Sequence, residues 1–220
     1  MFEGYLPQIL AGAWLTMQLA FFSLLLGLVF GLIGAAGQFS RYRIIRRITI
    51  LFITSICGMP ELLVLFIIYF GGTALVTYLA GHYVDVSSFV SGVLGLALIF
   101  GAYASQVFRS AFLAVPFGQS EAAHALGLSR WQIFKNIQLP QAWRHALPGL
   151  GNLWLVLLKD TALVSLIGLA DLMNKTQVAI STTQKPFLFY FTAALIYLVL
   201  TSFSQICMKK LNMGANRHLA

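Results

Sequence analysis

Three long uncharged runs constrain this chain more than any other feature of its sequence. No Asp, Glu, Lys or Arg occurs in residues 4–40, 86–108 or 186–208. A helix rises about 1.5 Å per residue, so roughly 20 apolar residues cross a hydrocarbon core about 30 Å thick. Only 9% of the residues are charged, whereas a soluble domain has about 25%. The runs therefore predict membrane-spanning helices and exclude a soluble globular domain.

Two further apolar stretches are long enough to span, although each contains ionisable residues. We therefore expect an all-α integral membrane protein in which residues 1–220 form one transmembrane domain with about five helices. An outer loop is expected at 71–85, and residues 109–145 form the one substantial polar segment between spans. Gly27 and Gly31 form a G-x-x-x-G pattern, which predicts close contact with another helix of the chain. The expected spans are 11–36, 48–70, 86–108, 146–170 and 186–208.

The positions of the basic residues predict the orientation of the chain. The net charge is +8, but these residues lie in connections between apolar runs rather than on a soluble face, which argues against a nucleic-acid partner. By the positive-inside rule the basic connections are cytoplasmic, with the N-terminus outside and the C-terminus inside. The first run has neither a basic start nor a convincing cleavage site, so we expect a retained helix. Eleven of the 14 Lys and Arg residues fall on the predicted inner side: Arg41, Arg43, Arg46, Arg47, Arg109, Arg130, Lys135, Arg144, Lys209, Lys210 and Arg217.

The polar segment 109–145 contains apolar residues at helical spacing, namely Trp131, Phe134 and Ile137. With Pro140 as a terminator, it predicts two short helices outside the bilayer. These residues alone leave open whether the segment rests on lipid headgroups or contacts a partner protein. No G-x-x-x-x-G-K-[ST] phosphate loop occurs in the sequence, so the chain is not expected to bind ATP in that way.

A long pattern within this segment resembles the EAA motif of bacterial ATP-binding-cassette (ABC) importer permeases. Residues 101–106, 115–119, 143–152 and 159–165 are similar to the permeases for polar amino acids, the histidine, glutamine and arginine group. The closest similarity of Pro60, Glu61 and the string 103–106 is to the arginine branch. Many relatives have Glu at the position of Gln106, and this departure also matches the arginine branch. The motif positions are Glu121, Ala122, Ala123, Gly127, Ile137, Leu139 and Pro140.

This resemblance implies a type I ABC importer permease fold in a bacterial inner membrane. It further implies that the EAA segment couples the chain to cytoplasmic ABC ATPase subunits, which bind ATP and Mg, so that this chain holds no cofactor and is not itself an enzyme. The other implied partners are a second permease, identical or homologous, an extracellular or periplasmic amino-acid-binding protein, and membrane lipid. Within the motif, slim alanine side chains would allow close approach of the ATPase, and Gly127 would permit a sharp turn.

Charges inside the predicted spans are candidates for the substrate pathway, because they are costly in a membrane and usually face a cavity or a partner. Pro60 removes a backbone donor beside Glu61, so we expect a broken helix there. Counted from the predicted inner ends of their spans, Glu61 and Asp160 both lie roughly 20 Å along the helix axis. With Lys159 they leave one net negative charge, which suits a basic amino acid.

We therefore expect Glu61 to bind the cationic part of the substrate and Asp160 and Thr161 to line the gate. The alternative is that Lys159 pairs with a carboxylate and neutralises a packed bundle. Asp171, near the outer end of the fourth span, is expected to be solvated, the alternative being a contact with the extracellular binding protein. No metal site is expected, because the histidines form no clustered ligand pattern. These are His82, His124, His145 and His218.

Three functions remain in contention from the sequence. The first is ATP-driven import of a polar amino acid, arginine before histidine or glutamine, by alternating access. The second is a secondary transporter driven by an ion gradient through Glu61 and Asp160, against which the lack of an evident internal repeat argues. The third is a membrane assembly subunit that transports nothing, which would leave the charges within the spans without a role.

Overall fold

The computed structural model describes residues 2–216, apart from the side chains of residues 2, 3, 211, 212 and 214–216. Arg217 and His218 lie outside the described residues. Two short irregular helices interrupt the α-helices, a π turn at Phe134–Gln138 and a 3₁₀ segment at Thr161–Ile167. The α-helices are α1 Phe2–Gln38, α2 Arg43–Gly58, α3 Glu61–Ala80, α4 Ser88–Leu113, α5 Phe117–Ala125, α6 Arg130–Ile133, α7 Leu139–Asp160, α8 Leu172–Thr183 and α9 Pro186–Asn216.

Five helical stretches within residues 2–216 are long and apolar enough to cross a membrane. This confirms the predicted number of spans and the all-α class. The first, third and fifth stretches overlap the three uncharged runs, because a helix without charges can be buried in lipid along its whole length. The five stretches are Gly4–Gln38, Glu61–Ala80, Ser88–Leu113, Arg130–Ile167 and Pro186–Lys210.

The second span differs from the prediction in its limits. The expected break at Pro60 is present, since α2 ends at Gly58 and α3 begins at Glu61. The long apolar helix lies after the break and continues to Ala80, so residues 71–80 are helical rather than part of an outer loop. Gly71 and Gly72 lower helix propensity without removing a hydrogen bond. The helix stops at Gly81, which adopts the left-handed conformation with φ of 72°.

The fourth span also begins earlier than predicted. Pro140 was expected to end a short helix, but it lies in the first turn of α7, and residues 130–167 form one continuous helical stretch. Just before the proline the chain makes a π turn, in which the amide of Leu139 bonds to the carbonyl of Phe134. This wider turn accommodates a ring that lacks an amide hydrogen and would clash with an ordinary preceding turn. The expected second loop helix is therefore the N-terminal part of a candidate span.

Helix α4 is the centre of the bundle. Gly27 and Gly31 of α1 approach it so closely that an added Cβ would lie 2.7 Å from the Phe100 ring and 2.9 Å from the Cβ of Ala104. The predicted packing role of this glycine pair is confirmed. On other sides of α4, Leu65 of α3 covers Gly95, and Gly149 of α7 packs against Val107 in the C-terminal half of α4. The side chains near residue 103 are thus held between several helices.

Candidate functional site: a polar pathway and a coupling surface

The break between α2 and α3 lies beside polar side chains of α4. The hydroxyl of Tyr103 donates a hydrogen bond of 3.2 Å to the backbone carbonyl of Cys57. The Nε2 of Gln106 donates to the Cys57 sulfur, also at 3.2 Å. The last carbonyls of a helix lack partners within it, so side chains or water must supply donors. The helix break and α4 together create a polar surface within an otherwise apolar bundle.

Two carboxylates lie within electrostatic reach of each other at this level. Glu61 is the first residue of α3, and Asp160 is the last residue of α7. Both are half-buried, and their charges interact with each other and with Tyr103. The structure therefore brings together the two carboxylates that the sequence placed at a similar depth. Because two like charges in a poorly solvated site repel each other, a cation between them would lower the electrostatic energy.

Asp160 and Thr161 lie at a second helical irregularity. The chain changes there from α-helix to the 3₁₀ segment, which ends at Gly168 with φ of 88°. Thr161 is fully buried, and its hydroxyl donates to the carbonyl of Leu158 at 2.8 Å. The C-terminal end of the 3₁₀ segment is tied to the start of α4, because Ser88 Oγ donates to the Ile167 carbonyl at 2.7 Å. The 3₁₀ segment thus ends this helical stretch, a common position for 3₁₀ turns.

Lys159 is exposed and attracts Asp160 electrostatically. Within the described part of the chain, no direct ion pair joins Lys159 to Glu61 or Asp160. Pro60 is exposed at the helix break. The arrangement thus leaves two carboxylates that interact electrostatically beside an interrupted helix, and within the described residues neither forms an ion pair with Lys159.

Two members of this polar surface were not predicted as site residues. Tyr103 and Gln106 lie in the uncharged run 86–108 and were noted only for their family similarity. Residues three apart share one face of a helix, so their spacing was the available signal. The same face continues to Arg109 and Ser110, which with Gln38, Thr54 and Gln106 line a cavity of about 250 Å³. A polar route therefore extends along α4 from Tyr103 towards its C-terminal end.

The EAA segment folds as a helix, a tight turn and a second helix. Helix α5 ends near Gly127, whose φ is 78°, a conformation that favours glycine. Ser129 then begins α6 with a capping box, in which Ser129 N donates to Gln132 Oε1 at 2.8 Å and Gln132 N to Ser129 Oγ at 3.4 Å. Gln138 Nε2 fixes α5 to the π turn by donating to Ser120 Oγ at 3.0 Å.

The motif residues divide between the inside and the outside of this segment. Glu121, Ala122, Leu139 and Pro140 are exposed, and Ile137 is half-buried. Ala123 is only 3% exposed, so its small side chain packs against the rest of the chain. The expectation that Ala123 offers a surface to another protein is therefore wrong. Two large apolar side chains that the prediction omitted lie beside the motif residues 121–123. These are Phe117 and Leu126, which are 76% and 82% exposed.

Asp171 is buried, and the expectation of a solvated side chain is wrong. Its relative exposure is 0%, and its Oδ1 accepts a hydrogen bond of 2.9 Å from the Asn174 amide at the start of α8. The helix start is pressed against α1, where an added Cβ on Gly12 would lie 2.7 Å from the Asp171 carbonyl oxygen. Burial raises the pKa of Asp171 to about 6, although hydrogen bonds from the backbone oppose this shift.

Comparisons with known proteins agree with this architecture. The family described as binding-protein-dependent transport system inner membrane component matches residues 9–215. The arginine ABC transporter permease protein ArtQ of Haemophilus influenzae is 47% identical, covering 99% of this chain and 97% of the relative. The histidine/lysine/arginine/ornithine transport system permease protein HisQ of Escherichia coli is 43% identical, covering 93% and 91%.

Solved structures show the same fold. A crystal structure of an amino acid ABC transporter with histidines matches with a TM-score of 0.86 and 32% identity, covering 96% of this chain and 95% of that one. The inward-facing MetNI methionine ABC transporter has a TM-score of 0.77 at 17% identity, covering 98% of this chain and 99% of that one, and supports the fold alone. The five spans and these relatives indicate a multi-pass protein of the inner membrane. This chain therefore belongs to the family of binding-protein-dependent transport system inner membrane components, and within it to the amino-acid permeases of ABC importers.

Proposed function

We propose that this permease carries a basic amino acid, arginine in the first instance, into the cytoplasm through a pathway that passes Glu61 and Asp160. The observation that carries the proposal is the position of these two carboxylates, one at a broken helix and one at the start of a 3₁₀ segment, within electrostatic reach of each other. Broken helices and charges near the middle of a membrane are typical of transporter binding sites. The relatives named for arginine and for histidine, lysine, arginine and ornithine support the same class of substrate.

In this proposal Glu61 and Asp160 share the positive charge of the substrate, and Tyr103 contributes its hydroxyl. Pro60 keeps the α2 and α3 backbones apart, so that substrate can approach. Thr161 begins the 3₁₀ segment, which in this proposal moves relative to α7. Lys159 lowers the repulsion of the acidic pair when no substrate is bound. Small movements of the 3₁₀ segment against α4 then open the site to one side of the membrane at a time.

The proposed energy source is a separate ABC ATPase that binds ATP and Mg and contacts the EAA segment. The exposed residues Glu121, Ala122, Phe117 and Leu126 form the contact surface. Gly127 and the Ser129 capping box hold its shape, while Ile137, Leu139 and Pro140 lead directly into α7. A push on α5 passes through the turn at Gly127 and the hydrogen bond from Gln138 to Ser120 into the helical stretch 130–167, which contains Asp160. The N-terminus lies outside and the C-terminus in the cytoplasm, which places the EAA segment on the ATPase side.

The remaining proposed partners are a second permease, which completes the pathway, and an external binding protein, which delivers the amino acid. Glu61→Gln tests the proposal in vesicles that contain the whole importer and labelled arginine. We expect ATP-dependent uptake to fall at least tenfold, since a hydrogen bond to a charged group contributes about 1.5–3 kcal/mol. Asp85→Asn, at an exposed carboxylate outside the spans, is the matched control and should transport normally.

Other outcomes of this assay separate the competing functions. Unchanged arginine uptake by Glu61→Gln, with unchanged preference over glutamine, would contradict the role of Glu61 while leaving the importer intact. Robust glutamine uptake without arginine uptake would change the proposed substrate. Uptake that follows an imposed ion gradient and ignores ATP would favour a secondary transporter, and the absence of all transport would favour an assembly subunit.

A further inference from the structure

An unbalanced positive cluster lies where α1 gives way to α2. Arg41, Arg43, Arg46 and Arg47 are all exposed, and residues 4–60 contain no Asp or Glu. Arg41 contacts the neighbouring Tyr42, with its guanidinium carbon 4.9 Å from the ring centre and a hydrogen bond of 2.9 Å to the hydroxyl. Within the described part of the chain, no carboxylate pairs with these arginines. Four cationic groups within seven residues therefore remain available to an anionic partner.

An apolar groove begins directly beside this cluster. It has a volume of about 380 Å³ and runs between α1, α2 and α4. Ile48, which follows Arg47, is at one end, and Phe52 lies one turn further along α2. Ile33 and Phe52 are 64% and 51% exposed, so the groove is open at the side. Its lining is Phe30, Ile33, Gly34, Ile48, Thr49, Phe52, Ile53, Leu98, Gly101 and Ala102.

We propose that this groove and the arginine cluster form one binding site for an anionic phospholipid. An acyl chain would lie in the groove, and the phosphate would bind Arg43, Arg46 and Arg47, whose planar guanidinium groups match phosphate oxygens. Basic pockets between membrane helices suit anionic headgroups, whereas a zwitterionic lipid would add an ammonium group to an already positive site. A second copy of this chain is a poorer occupant, because it would bring the same positive end against this one.

The position of the site gives the lipid a consequence for transport. Helix α2 begins at Arg43 and ends at Gly58, directly after Cys57. The carbonyl and the sulfur of Cys57 accept hydrogen bonds from Tyr103 and Gln106, respectively. The lipid would hold the start of α2 against α1, where Gly37 already fits closely beside Thr49. It would thereby fix the tilt of α2 and its position along the membrane normal. The last turn of this helix borders the polar pathway. This inference does not depend on which amino acid is transported.

Binding is measured on the purified full importer in detergent by native mass spectrometry, with phosphatidylglycerol or phosphatidylcholine added. We expect retention of phosphatidylglycerol by the wild type, and at least tenfold weaker binding by the triple variant Arg43→Gln, Arg46→Gln, Arg47→Gln. The control is Lys209→Gln with Lys210→Gln, which removes two exposed charges near the other end of the chain. An equal loss in the control, or equal binding of phosphatidylcholine, would overturn the site.

A second variant tests the groove without altering charge. Ile33→Trp should fill the groove, weaken binding of long-chain phosphatidylglycerol at least threefold and leave weak binding of inorganic phosphate unchanged. Unaltered lipid binding by this variant would overturn the acyl-chain part of the proposal. A photoreactive side chain at position 52 identifies the occupant in native membranes. A phospholipid adduct supports the inference, while an adduct with a second permease or with the ATPase overturns it.

Discussion

Two aspartates on either side of the 3₁₀ segment show how differently one residue type is used in this protein. Asp171 is fully buried, and it caps α8 by accepting a hydrogen bond from the Asn174 amide. Asp160 is half-buried and faces the charge of another carboxylate, Glu61. A carboxylate that bonds to its own backbone stabilises a helix start. Asp160 is repelled by Glu61 and only partly compensated by an exposed lysine, Lys159. This difference is our reason for proposing a ligand at Asp160 and not at Asp171.

The largest expected effect separates the two aspartates by their role in transport. Asp160→Asn should lower ATP-dependent uptake of labelled arginine at least tenfold, because it removes half of the acidic pair that holds the cation. Asp171→Asn keeps the cap and should change uptake less than twofold. Equal losses in the two variants, at equal amounts of folded protein in the vesicles, would contradict the distinction drawn here.

The next effect concerns stability and pH. Because burial raises the pKa of Asp171 from 3.8 to about 6, the folded protein binds this proton more tightly than the unfolded chain does. The stabilisation that comes from this tighter proton binding is fully present below about pH 4 and is lost as the pH rises through about 6. The free energy of unfolding falls by at most about 3 kcal/mol over this range.

The melting temperature of the purified protein measures this dependence. We expect the wild type to lose stability relative to Asp171→Asn between pH 4 and pH 6, with a constant difference above pH 7. Tyr78→Phe, which changes an exposed side chain and no carboxylate, should follow the wild type over the whole range. A difference between wild type and Asp171→Asn that does not vary with pH would show that Asp171 titrates normally.

The smallest effect tests the neighbours of Asp160. Tyr103→Phe removes the hydroxyl that donates to the Cys57 carbonyl but keeps the ring, so we expect about fivefold lower uptake, the equivalent of about 1 kcal/mol. Tyr78→Phe is the control, because it removes the hydroxyl of a side chain of α3 that is 85% exposed. It should leave uptake unchanged. An unchanged rate for Tyr103→Phe would remove Tyr103 from the proposed pathway while leaving the carboxylate pair in place.

The parts of the fold that follow from local chemistry were predictable. Five spans follow from the lengths of the apolar stretches, since backbone groups in lipid must be satisfied within a helix. The break before Glu61 follows from Pro60, which has no amide hydrogen. The pairing of Gly27 and Gly31 with another helix follows from their spacing and lack of side chains. Glu61 and Asp160 stood out because charges are rare in such segments.

Other features were decided only by tertiary structure, because they depend on which helix packs against which. Pro140 continues a span instead of ending a helix, since a π turn absorbs its ring. Ala123 points inward and Asp171 is buried, because α5 and α8 each pack on a neighbour that local sequence does not specify. Tyr103 joins the candidate site through the hydrogen bond that its hydroxyl donates to the carbonyl of Cys57, a residue 46 positions away in the chain. The sequence by itself determined which segments enter the membrane, and the packing of those segments decided which side chains meet there.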